Sequence, residues 1–162
     1  MLKLIIRALA VLVPAALLIA PVTQASSQAS LADVRQATAR FHDLHQTTSA
    51  GYIRLLPCFD LAGVGGMGQH YVNTGMLDAT VNATQPEALV YEVDGNVLKL
   101  VAVEYIIPLD KWQSTAKPRL FGKEFTRIDS LGLWALHAWI WRPNPSGIFE
   151  NYNPSVRMCP GH

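Results

Sequence analysis

Three ionisable side chains stand in settings that do not ordinarily hold them. His70 lies one residue beyond a glycine-rich run, Glu104 interrupts the apolar stretch from Leu100 to Ile107, and His137 is the one polar residue between Leu133 and Trp141. A carboxylate buried without a partner costs several kcal/mol, so Glu104 must be met by a donor or a cation. Two imidazoles and one carboxylate form a ligand set used by Zn, Mn, Fe and Cu alike. The expectation is a small pocket, polar at His70, Glu104 and His137, lined by Tyr71, Tyr91 and Trp139, and able to hold a small ligand or a divalent transition metal. The three positions are dispersed along the chain, with no HxH, HExxH or Cys/His cluster to tie them together. A core histidine hydrogen-bonded to a core glutamate therefore accounts for the same residues without any metal.

Other chemistries have weaker support. Gly63-Val64-Gly65-Gly66-Met67-Gly68 satisfies GxGxxG, but a dinucleotide site needs a helix after the glycines. Here the strand-like Gln69-His70-Tyr71-Val72-Asn73 follows, so the run reads as a tightly turned loop beside a pocket. No GxSxG elbow supports a serine nucleophile. Glu104 paired with Glu87 or Glu92 would suit glycoside hydrolysis, a pattern that any small protein offers. Trp134, Trp139 and Trp141 lie in an apolar run and read as core aromatics before they read as a stacking platform.

The elements that must position these residues are partly visible. Ser30 and Asp33 have the spacing of a capping box, and Leu31, Val34, Phe41 and Leu44 fall near one stripe, which predicts an amphipathic helix from Ser30 to about Thr47. A short strand over Tyr52 to Leu56 should end at Pro57. Leu89 to Val93 and Val97 to Ile107 flank Asp94-Gly95-Asn96, a strong hairpin signal. Strict alternation along the second of these strands puts Leu98, Leu100, Ala102, Glu104 and Ile106 on one face. A two-residue turn at Asp94-Gly95 adds Leu89 and Tyr91 to that face and turns Glu92 away, whereas a bulged three-residue turn brings Glu92 beside Glu104. Leu133 to Trp141 is read as a buried strand, with His137, Trp139 and Trp141 on one face. The class is α+β, an N-terminal amphipathic helix packed on a small, mainly antiparallel sheet or half-closed barrel.

The compartment follows from the N-terminus. Lys3 and Arg7, the apolar run Ala8 to Ala20 and the small, polar Thr23-Gln24-Ala25-Ser26-Ser27 make a secretory leader. Its apolar run is shorter than the ~20 residues a membrane span needs. Cleavage after Ala25 is expected, with Ala29 as the alternative, giving a leader over 1–25 and one exported domain over 26–162, periplasmic or secreted. Losing Lys3 and Arg7 changes 13 basic and 12 acidic residues to 11 and 12. Such a neutral domain without a Lys/Arg cluster has no footprint for nucleic acid, and none for a membrane after cleavage. The two cysteines, Cys58 and Cys159, are expected to pair in an oxidising compartment and staple the turn-rich tail to the first third of the domain.

The segments Gly66-Met67-Gly68, His70-Tyr71-Val72-Asn73, Pro86-Glu87-Ala88-Leu89, Val103-Glu104-Tyr105, Leu136-His137-Ala138-Trp139 and Arg142-Pro143-Asn144-Pro145 occur in an order that resembles a group of uncharacterised exported bacterial proteins. That resemblance spans nearly the whole exported domain and implies no activity. Three functions stay open: a small-ligand or metal-binding protein, a metal-assisted hydrolase or oxidoreductase with Glu104 as base or ligand, and a structural or interaction module of the cell envelope.

Overall fold

The computed structural model describes residues 29–161; the expected leader and its cleavage sites up to Gln28 lie outside the described residues. The expected capping box opens the first helix, α1 (Leu31–Thr38). Ser30 Oγ accepts from the Asp33 amide at 3.3 Å, and Asp33 Oδ2 accepts from the Ser30 amide at 2.7 Å. The helix does not run on to Thr47 as the stripe suggests. It tightens into a 3-10 turn over Ala39–His42 and breaks at Asp43, whose extended backbone lets its carboxylate accept from the His45 amide at 2.9 Å and cap α2 (Leu44–Ser49). The break turns Phe41 and Thr47 inward together, so that the buried Tyr91 hydroxyl meets both the Phe41 carbonyl at 2.7 Å and Thr47 Oγ1 at 2.6 Å.

Six strands form one antiparallel sheet, curled into a half-barrel: β1 (Ile53–Leu61), β2 (Gly65–Val72), β3 (Ala88–Asp94), β4 (Val97–Pro108), β7 (Thr126–Ile128) and β8 (Leu133–Ala138). Their order is β1-β2-β3-β4-β8-β7, while β5 (Arg119–Leu120) and β6 (Lys123–Glu124) make a separate small hairpin. The chain is thus α+β, with the helical segment on a half-barrel. Two expected boundaries move. Pro57 does not end β1, because that strand lies on the sheet edge, where a missing N–H is tolerated, and its pairing slips between Arg54 and Cys58. Conversely, β8 stops at Ala138: the Ile140 amide turns back to the Ala138 carbonyl at 2.9 Å, and Trp141 swings to the helical side to donate to Thr38 Oγ1 at 3.3 Å.

The hairpin register decides which side chains share a face. The turn has two residues, but they are Gly95-Asn96 rather than Asp94-Gly95, with Asp94 paired to Val97. Tyr91 pairs with Leu100 but Val90 with Ala102, leaving Val101 as an extra residue inside β4. That bulge inverts the alternation: Leu98 and Leu100 join Tyr91 in the helix-facing core, while Ala102, Glu104 and Ile106 face the other way. Glu92 consequently comes round to the Glu104 side without a longer turn. There the Arg142 guanidinium and the Arg157 amide, at 2.9 Å, hold its buried carboxylate.

The C-terminal tail covers this second face. Gly66 exchanges backbone hydrogen bonds with Asn153 at 2.9 Å and Val156 at 3.3 Å. A Cβ on Gly65 would lie 2.5 Å from the Asn153 carbonyl carbon, and one on Gly66 closer still to the Arg157 carbonyl oxygen. The glycine run is therefore mostly strand rather than the loop expected, and its lack of side chains admits the tail. A Cys58–Cys159 disulfide with Cα atoms 5.8 Å apart holds the tail down, and Asp60 Oδ2 accepts from the Cys159 amide at 2.6 Å.

Candidate metal centre

His70, Glu104 and His137 come from β2, β4 and β8 and meet on the tail-covered face. Glu104 and His137 are direct cross-strand partners. His70 belongs two strands away from Glu104, a gap of roughly 9–10 Å in a flat sheet. The curl of the sheet and the minimal side chain of the fully buried Ala88, which pairs with Glu104 on the intervening strand, let the His70 ring reach across. His70 Nε2 lies 3.4 Å from His137 Nε2 and 3.4 Å from Glu104 Oε2, and His137 Nε2 lies 3.5 Å from Glu104 Oε1. Each carboxylate oxygen thus faces one imidazole, and all three side chains are buried.

Burial dominates the electrostatics. It pushes the Glu104 carboxyl up to about 8, helped by the nearby Glu87 charge, and drives His70 down to about 4 and His137 to about 3. At neutral pH and without a cation the cluster is uncharged, with imidazole lone pairs free to act as donors to a metal. Both Nδ1 atoms, on the far edges of the rings, lack a hydrogen-bond partner. The Gly68 backbone and the Asn151 side chain bias His70 and His137 slightly back toward the protonated form, but neither closes a bond on Nδ1. Both rings are turned so that Nε2, not Nδ1, faces the other two groups of the cluster.

Glu104, and Glu87 raised to about 7 by burial, keep protons that the unfolded chain loses above its ordinary 4.5. Their contribution to stability falls as pH rises from 4.5 through 7 and 8. The two imidazoles refuse protons that the unfolded chain binds below 6.5, so their contribution falls as pH drops from 6.5 through 4 and 3. Between 4.5 and 6.5 the opposing slopes cancel. Metal-free protein is therefore expected to show a stability plateau there with losses on both sides, as measured by urea denaturation in EDTA across that range; stability still rising steadily from pH 6.5 to 8 would contradict the assignment.

A cavity of about 260 Å³ opens on the triad, which forms part of its lining. The rest of the wall includes Leu56, Phe59, Met67, Ile106, Leu133 and Tyr152. Tyr71 and Tyr91, expected to line it, point instead into the helix-facing core, where their rings meet edge to face at 5.2 Å. Trp139 stacks on the His137 ring at 6.0 Å but lines a different cavity, beside Arg35 and Ile148. Asn151 and Tyr152, which sequence reasoning passed over, belong to the tail that the disulfide returns to the sheet, and the Cys58–Cys159 pairing was the one available signal for them. No family model, curated protein or solved structure matches the chain.

Proposed function

We propose that this chain is an exported binding protein for a divalent transition-metal ion, held by His70 Nε2, His137 Nε2 and the Glu104 carboxylate. The observation that carries this reading is the convergence of the three groups at 3.4–3.5 Å. Ligand bonds of 2.0–2.2 Å near the tetrahedral angle place donor atoms roughly 3.3–3.6 Å apart. Export is supported by the disulfide, and no helix among the described residues is long and apolar enough to cross a membrane. Because three protein ligands leave a position open toward the cavity, metal-assisted hydrolysis or oxidation is the second reading.

The test is elemental analysis and thermal melting of untagged protein after incubation with zinc, copper, manganese or iron and removal of excess. One equivalent of metal is expected, with a melting temperature that EDTA lowers, and His70→Ala and His137→Ala should each lose both properties. Absence of stoichiometric metal in the parent protein, together with unchanged melting in the two variants, would overturn the reading.

A further inference from the structure

Resting on that metal-binding reading, we infer that the molecule completing the coordination sphere is apolar, with a single acidic metal-binding head such as a hydroxamic acid or thiol. A divalent ion held by one carboxylate and two neutral imidazoles leaves one positive charge in a buried setting. One anionic donor atom on the ligand cancels it, and a second charge would find no partner, since among the described residues neither Lys nor Arg lines the cavity and its only ionisable groups besides Tyr152 are the triad itself. Leu56, Phe59, Met67 and Leu133 supply an apolar wall to the remainder of the ligand. The path for a tail is also present. A second apolar cavity of about 230 Å³ adjoins the first, and the two share Leu56, Ile106, Leu131 and Leu133. Of these, Leu131 stands 46% exposed on the 3-10 turn Asp129–Leu131, at the lip between them. A chain of several methylenes entering from the metal side would pass beneath that lip against the shared apolar wall.

The experiment uses the full exported chain loaded with Co(II), whose visible absorption reports a change in coordination. Acetohydroxamate, hexanohydroxamate and the monohydroxamate of adipic acid are titrated in turn. The last two have the same number of carbons and differ by a terminal carboxylate. Each buried methylene strengthens binding by about fourfold. Hexanohydroxamate is therefore expected to bind at least tenfold more tightly than acetohydroxamate, and the adipic compound no more tightly than acetohydroxamate. Leu131→Ser, at an exposed position, should narrow the hexano-to-aceto ratio at unchanged cobalt stoichiometry. Failure to take up cobalt overturns the metal-binding reading and this inference with it. Cobalt uptake with equal affinities for the three compounds, or a ratio that Leu131→Ser leaves untouched, overturns this inference alone.

Discussion

Glu104→Gln is expected to lower metal affinity at least about 100-fold while the metal-free protein stays folded. Removing a group that merely orients a metal ligand costs 10–100-fold, and loss of the one anionic ligand should exceed that. Stability should hardly change because the carboxyl is already neutral without metal, its pKa pushed up to about 8 by burial. Gln replaces one uncharged group with another of the same shape, and its amide can still donate to one imidazole and accept from the other. The stability of the metal-free variant is expected within about 1 kcal/mol of the parent at pH 7, as for near-isosteric exchanges. Its decline toward pH 8 should shrink, since the proton that Glu104 retains is gone. Chelator competition for zinc and urea denaturation in EDTA measure the two quantities. Unchanged zinc affinity would remove the carboxylate from the ligand set. A large loss of metal-free stability would make Glu104 a structural partner of the histidines instead.

The triad was legible for definite reasons: Glu104 and His137 each sit alone on an apolar strand face, and His70 stands just beyond a glycine-rich run. What failed was the parity of that face. The extra residue Val101 carries no glycine or proline to announce a bulge, yet it moves Leu98, Leu100 and Tyr91 to the helical side and Glu92 to the site side. Tyr71 follows His70 directly in β2, so the same strand that presents the imidazole to the cavity must point the tyrosine into the core. The helix break was hidden similarly, because Leu44 continues the apolar stripe that Phe41 belongs to, and only the cap at Asp43 reveals the second start. The cavity walls from Leu56, Phe59, Tyr152 and Asn151 depend on an edge strand and a returning tail, tertiary features without local periodicity.

The tail leads to the second large effect, that of removing the disulfide by Cys58→Ser with Cys159→Ser. The bridge joins residues 101 apart, and closing a loop of that size stabilises a domain by roughly 4–5 kcal/mol in the chain-entropy treatment. A loss of that order is expected in urea denaturation at pH 7 and should approach the whole stability of a small domain. The metal centre should suffer beyond the global loss. Asn151 and Tyr152 line the cavity, and the segment that carries them is held to Gly66 by backbone bonds through Asn153 and Val156. Farther along, the tail is fixed by the Arg157 amide on Glu92 and the Cys159 amide on Asp60. Releasing its end lets these contacts fray and loosens the wall that fixes the three ligand groups in their convergent geometry. Zinc affinity of the doubly substituted protein, measured where it is still folded, should therefore fall, whereas a bridge that only restrained the unfolded chain would leave it unchanged. Zinc affinity equal to the parent's would show that the bridge stabilises the domain without shaping the site.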